Sequence, residues 1–191
     1  SSWLKALTER RATITGGPPS AYALCAKRIK DAEVEQYDLG AVRIALVGAE
    51  TVTRESLNAF ADKFRPAGFR STSFMPTYGL AENVLAVTMP PLDSEPEFDT
   101  VDFAGLAVGQ VFQPAAADGL ESPSLQTRVF ASVGAPLPGV ELAIVNESGG
   151  HLPERQIGEI TLRSPSMTSG YLHNEAATRD ALCEGWLYTG D

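Results

Sequence analysis

Cysteine and histidine are scarce in this chain, with two of each in 191 residues. Cys25 and Cys183 lie far apart and form no CxxC pair, so they read as reduced thiols and not as a disulfide framework. His151 and His173 fall in no metal-ligand spacing. Neither has a plausible serine and acid setting, and without a GxSxG elbow a serine hydrolase is excluded. No apolar run approaches the roughly 20 residues that cross a bilayer, so no integral membrane segment is expected. No secretory leader pattern opens the sequence, and the reading of both cysteines as reduced thiols leads to the expectation of a cytoplasmic protein. Basic residues are the minority: 15 Lys and Arg against 24 Asp and Glu leave a formal charge of -9. A nucleic-acid backbone would be repelled by that balance. No internal repeat is present, and Asn146-Glu147-Ser148 is a short glycosylation match of the kind chance supplies.

What remains is ordinary globular material, 43% apolar and 20% charged. The length allows one large domain or two small ones. The first ninety residues alternate strand and helix. A β-branched run, Ala12 to Thr15, ends in Gly16-Gly17-Pro18-Pro19, and proline suits the first turn of the helix that should follow. That helix is expected to bury Ala21, Leu24, Cys25 and Ile29. Val42 to Val47 is continuous and apolar, as in a strand covered on both faces. Leu57, Phe60, Ala61 and Phe64 then mark an amphipathic helix, with Glu55 in its first turn. Ser71 to Met75 reads as a third strand, parallel to the preceding one across a right-handed crossover. From about Val129 the pattern changes to short alternating strands separated by Gly/Pro turns, with Val140, Leu142, Ile144, Ile160 and Leu162 inward. The expected fold class is α/β: a layered β-α-β part over 1–95, an insertion-like segment over 96–132, and a small β-rich, barrel-like part over 133–191.

Three segments can carry chemistry. Val47-Gly48-Ala49-Glu50 closes a buried strand, at the sheet edge where open α/β folds bind ligands. Taken alone, the segment reads as a plain strand-to-helix turn. Pro76-Thr77-Tyr78-Gly79-Leu80-Ala81-Glu82 also follows a strand. It offers a ring face, a glycine for close approach and a carboxylate for a hard cation. The third is Gly158-Glu159-Ile160, then Gly170-Tyr171 through Glu175 and Thr178, then Gly185-Trp186-Leu187-Tyr188-Thr189-Gly190-Asp191. On residue grounds this is a strand, a short helix capped by Asn174 and an aromatic turn. Its terminal Asp could accept hydrogen bonds from vicinal hydroxyls.

In this order and spacing, GAE, YGLAE, GEI…GY…E..T and GWLYTGD resemble the adenylate-forming superfamily of acyl-CoA synthetases, luciferases and peptide-synthetase adenylation domains. The opening, with Trp3-Leu4, Arg11 to Pro18, Ala21-Tyr22 and Leu24-Cys25, resembles fatty-acyl-AMP ligases within it. So does Gly48-Ala49-Glu50, where many acyl-CoA synthetases carry Gly-Gly-Ala-Pro. The loose stretch from about Val101 to Ser132 sits where those ligases carry an insertion. Tyr188 departs from the pattern, which usually has Arg before this Thr. Ala81 stands where most relatives have a Thr that touches the α-phosphate.

The resemblance implies the adenylate-forming fold and these roles. Gly48, Ala49, Glu50, Tyr78 and Gly79 would hold adenine, and Asp191 the ribose. Glu82 would be the catalytic carboxylate that binds Mg²⁺ on ATP, and Ser20 and Tyr22 would line the acyl-pocket mouth. The implied reaction makes acyl-AMP and pyrophosphate from a fatty acid and ATP. The acyl group then passes to the phosphopantetheine thiol of an acyl carrier protein or polyketide synthase carrier domain. Coenzyme A as acceptor, or a non-catalytic scaffold, are the alternatives. The superfamily's Ser/Thr/Gly-rich phosphate loop is not found in this sequence, and its lysine-bearing C-terminal domain would follow Asp191. The chain is therefore expected to be an internal piece of a larger adenylating domain, inactive alone.

Overall fold

The computed structural model describes residues 1–102, 107–111 and 127–191. Much of the expected insertion, at 103–106 and 112–126, lies outside the described residues. The chain divides into two compact units, each assembled from several stretches. The first takes Ser1–Gly79, Thr88–Asp99 and Val129–Ala135, and the second takes Leu80–Val87, Thr100–Arg128 and Pro136–Asp191. Each draws on residues from both sides of the boundaries expected near 95 and 132.

In the first unit, helix α1 (Ser2–Arg10) leads to strand β1 (Ile14–Gly17), helix α2 (Pro19–Arg28), strand β2 (Ile44–Val47), helix α3 (Arg54–Phe64) and strand β3 (Phe74–Pro76). The three strands form a parallel sheet in the order β1-β2-β3, so both crossovers are β-α-β units. Gly16 and Gly17 belong to β1 and pair with Leu46 and Val47, although the Gly/Pro cluster reads as a strand terminator. Strand β3 starts later than the expected Ser71. Ser71–Ser73 instead form a 3-10 turn, and the buried Ser73 hydroxyl donates to Val42 O at 2.9 Å. Small hydroxyl side chains compete with a strand ladder in this way.

Helix α3 is capped by Thr53, whose hydroxyl accepts from Ser56 N at 3.3 Å. It buries Leu57, Phe60, Ala61 and Phe64, as its periodicity predicts. Helix α2 differs from expectation. Its buried positions are Pro19, Tyr22 and Cys25, followed by Ile29, while Leu24 is 46% exposed. The stripe is rotated because Tyr22 supplies the larger apolar surface. Its ring meets Trp3, Phe60 and Phe74 edge-on, at centroid distances of 5.1, 5.2 and 5.3 Å. Its hydroxyl donates to Leu46 O at 3.0 Å, and burial pushes its phenol well above the ordinary tyrosine range. Phe60 anchors the same aromatic cluster, with Phe64 and Phe69 on it at 4.6 and 4.9 Å.

Short strands β4 (Tyr78–Gly79), β5 (Ala86–Met89), β6 (Phe98–Asp102), β7 (Thr127–Ala131) and β8 (Ala135–Pro136) follow along the chain. The second unit is built on β9 (Glu141–Val145), β10 (Glu159–Arg163), β11 (Leu182–Cys183) and β12 (Trp186–Tyr188), with helix α4 (Glu175–Ala181). These four strands form an antiparallel sheet ordered β11-β12-β10-β9. Closure would require β9 to meet β11, and they lie at opposite edges. Among the described residues no sheet closes into a barrel, so the barrel-like expectation for this part is corrected to an open sheet.

The burial alternation is also blurred: Val145 and Leu162 are buried, Leu142 and Ile144 only half-buried, and Thr161 is 2% exposed. The Asn146 carboxamide of the glycosylation match is engaged in its own turn. It accepts from Ser148 N, Ser148 Oγ and Gly150 N. Both cysteines are free thiols, Cys25 buried and Cys183 exposed.

Phe60→Ala should lower stability by about 3–5 kcal/mol, the usual result of removing a buried ring. Leu24→Ala on the neighbouring helix should change it by less than about 0.5 kcal/mol. Urea unfolding followed by circular dichroism measures both, and equal losses would contradict the rotated stripe.

Candidate functional site

The carboxyl ends of β2 and β3 lie side by side because the parallel ladder continues one residue past β3. Thr77 N donates to Val47 O at 2.9 Å. The next residue, Gly48, then passes so close that an added Cβ would stand 2.7 Å from Thr77 O. No other residue type fits without moving backbone. Ala49 follows at φ 64, a left-handed conformation uncommon for a residue with a side chain. The half-buried Tyr78 and exposed Gly79 begin β4 directly after Thr77. The expected adenine segments, Gly48-Ala49-Glu50 and Tyr78-Gly79, are thus brought to one sheet edge through Gly48 and Thr77.

Glu50 does something that its place in that loop did not announce. Its carboxylate accepts from Ser20 N at 3.3 Å and from Ser20 Oγ at 3.0 Å. Helix α2 needs this. Its N-cap is Pro18, which offers no side-chain acceptor, and Pro19 at the first position has no N–H. Ser20 therefore carries an early orphan donor of the helix, and a carboxylate there satisfies it while complementing the helix dipole. Ser20, expected at the acyl-pocket mouth, is tied instead to Glu50 in the loop expected to hold adenine. Tyr22, expected beside it, is 1% exposed within the aromatic core.

Within the second unit, Glu82 sits in a 3-10 turn, Ala81–Asn83, that is held on several sides. Its carbonyl accepts from Thr168 N at 2.7 Å. Asn83 is 2% exposed, donates to Ala86 O at 3.1 Å and accepts from the Ser164 hydroxyl. Val84 then takes φ 67 and ψ -54, with Leu85 N donating to Asn83 O at 2.8 Å. This is a γ-turn of the rare, strained hand, and it stands two residues from the carboxylate. The half-buried Glu82 side chain accepts the Tyr171 phenol on Oε1 at 2.8 Å.

Asp191 is exposed, but its turn is fixed by Glu159 and Ile160. Gly190 N donates to Glu159 Oε1 at 3.0 Å, and Thr189 Oγ1 donates to Ile160 O at 2.7 Å. Ile160 N donates to Asp191 O at 3.0 Å, and Asp191 N donates to Thr189 Oγ1 at 3.1 Å. The Gly-Glu-Ile and Thr-Gly-Asp motifs, 29 residues apart between Ile160 and Thr189, are therefore one hydrogen-bonded structure.

A model of AMP-binding enzymes matches residues 1–172. The chain belongs to the AMP-binding enzyme family. A Caulobacter vibrioides protein named as an acyl-CoA synthetase is 35% identical over 190 residues, which cover 99% of this chain and 32% of that protein. A medium-chain-fatty-acid–[acyl-carrier-protein] ligase, TtuA, of Teredinibacter turnerae is 32% identical over 182 residues, covering 94% of this chain and 27% of TtuA. Among solved structures, a fatty acid AMP ligase from Legionella pneumophila matches with a TM-score of 0.89 and 33% identity. The match covers 100% of this chain and 33% of that one. The chain spans about a third of the length of the curated relatives it matches.

In this AMP-binding chain, residue-level reading missed the Ser20–Glu50 and Tyr171–Glu82 contacts, which join residues 30 and 89 positions apart. No short-range pattern reports such pairs. The Glu159 contact had a signal, since a charged residue follows a glycine at the start of β10, opposite the Thr-Gly-Asp turn.

Gly48→Ala should destabilise the first unit by about 1–3 kcal/mol, the cost of overpacking against backbone. Gly17→Ala is the control, because its added methyl would meet Ala21 Cβ at an ordinary 3.6 Å. Thermal unfolding of the two variants decides the matter; a Gly48→Ala protein as stable as Gly17→Ala would refute the close approach.

Proposed function

We propose that this chain is the nucleotide-facing part of a ligase that activates a fatty carboxylate as its acyl-adenylate. The observation that carries the reading is the approach of Gly48 to Thr77 at the ends of two adjacent parallel strands. A flat ring can lie on backbone there, with the Tyr78 ring as its other neighbour. In this reading Gly48, Ala49, Glu50, Tyr78 and Gly79 hold adenine, and the Asp191 carboxylate accepts from the ribose hydroxyls. Ser20 stands at the mouth of the acyl pocket, and Tyr22 supports it from within the core.

One oxygen of the fatty carboxylate attacks the α-phosphorus of ATP. A new P–O bond forms, the bond to the bridging oxygen of the β-phosphate breaks, and pyrophosphate leaves with that electron pair. In the second half-reaction a phosphopantetheine thiol, losing its proton, attacks the acyl carbon to form the thioester, and AMP departs. Among the described residues no trio of His, Cys, Asp or Glu forms a metal cluster. That fits Mg²⁺ carried on ATP, which typically needs only one or two protein carboxylates beside the phosphate oxygens. Glu82 has the chemistry to be that carboxylate, and the ion would supply neutralisation of phosphate charge. The chain's own contribution is positioning by fixed backbone and side-chain donors.

The match to TtuA supports a carrier protein as acceptor, and the Caulobacter match supports coenzyme A as the second reading. Free thiols, and the fact that no described helix is long and apolar enough to cross a membrane, are consistent with a cytoplasmic site of action.

The test is fatty-acid-dependent ATP–pyrophosphate exchange by the full-length enzyme. Asp191→Ala should lower kcat/KM for ATP about 100-fold, corresponding to about 2.7 kcal/mol of lost hydrogen bonding. Tyr78→Ala should lower it about tenfold through lost ring contact. Activity unchanged in both variants would refute the nucleotide assignment. Offering a carrier protein that bears a free phosphopantetheine thiol against coenzyme A separates the two acceptors.

A further inference from the structure

Tyr171 stands at the surface, 38% exposed, yet its phenol reaches Glu82 across 89 residues of sequence. An exposed tyrosine holds a distant carboxylate in one geometry only if the backbone on both sides is fixed. Here it is. Gly170 sits at φ 147, and a Cβ on it would stand 2.7 Å from Thr178 Cγ2. The Thr178 hydroxyl accepts from Tyr171 N at 2.9 Å and donates to Asn174 O at 2.8 Å. Asn174 in turn caps α4, accepting from Ala177 N at 3.1 Å. Three residues before Tyr171, Thr168 binds Glu82 through the backbone, and its hydroxyl bonds the Gly170 carbonyl and amide. Segment 168–171 therefore grips Glu82 twice, at its carbonyl and at Oε1.

We propose that Tyr171 is a positioning residue for Glu82: the phenol takes Oε1, fixes the carboxylate rotamer and leaves Oε2 for the cation on the nucleotide. The inference rests on the reading of Glu82 as the cation-facing carboxylate. A carboxylate with one oxygen pinned loses less freedom when the other oxygen binds. The phenol donates this bond, and accepting it holds the Glu82 carboxylate against the Tyr171 ring edge; the same bond keeps the Tyr171 proton above the ordinary tyrosine range.

Two measurements in the full-length enzyme test this. Calorimetric titration of Mg²⁺ into the ATP-bound enzyme should show about tenfold weaker binding in Tyr171→Phe than in wild type, and equal binding overturns the positioning role. In the full-length enzyme, Tyr171→Phe should raise the Mg²⁺ concentration for half-maximal pyrophosphate exchange about tenfold, with KM for the fatty acid unchanged. It should add nothing once Glu82 is already Ala. A wild-type Mg²⁺ requirement in Tyr171→Phe overturns the positioning role alone. A wild-type requirement in Glu82→Ala overturns the reading of Glu82 itself, and the inference with it.

Discussion

The hydrogen bond from Thr77 N to Val47 O, with Gly48 pressed against Thr77 O, is the contact on which the proposed adenine site depends. It carries the parallel ladder one residue past β3 and sets two loops side by side where both strands end. The aromatic cluster behind the sheet makes that edge rigid. Tyr22 and Phe60 clamp α2 to α3, and the Tyr22 hydroxyl is anchored on Leu46 of β2. Glu50 then ties the same edge to the start of α2 through Ser20. A change in the loop is felt by the helix start, because the proline-opened helix has no side-chain cap of its own.

The second unit uses the same economy with different parts. Its motif residues come in pairs, one carrying the carboxylate proposed to face the nucleotide and another fixing the turn that presents it. Asp191 is presented by a turn bonded to Glu159 and Ile160, and Glu82 by a turn bonded to Thr168, Ala86 and Ser164. The strained conformation of Val84 beside Glu82 is sustained by the buried Asn83 side chain. Strain of that kind persists only where surrounding contacts over-determine it.

What was legible in the sequence was periodic or local. The α3 stripe, the Asn174 cap, the parallel strand order and the family resemblance all rest on short spacings. The α2 face was misjudged because Leu24 and Tyr22 compete for the core, and hydropathy favours leucine while ring area favours tyrosine. The start of β3 was misjudged because Ser71–Ser73 close a 3-10 turn, Ser73 N donating to Arg70 O, and the Ser73 hydroxyl is taken by Val42 O of a distant segment. The short alternating strands were expected to be barrel-like, but closure depends on edge pairing, which no residue pattern in β9 or β11 reports. The Glu50 and Tyr171 contacts join segments 30 and 89 residues apart and were invisible for the same reason.

The most direct measurement is a crystal structure of the full-length enzyme with a non-hydrolysable acyl-adenylate analogue. The account predicts the purine on the backbone of residues 48–50, with the Tyr78 ring against its other face. A purine bound away from both Gly48 and Tyr78 would contradict it.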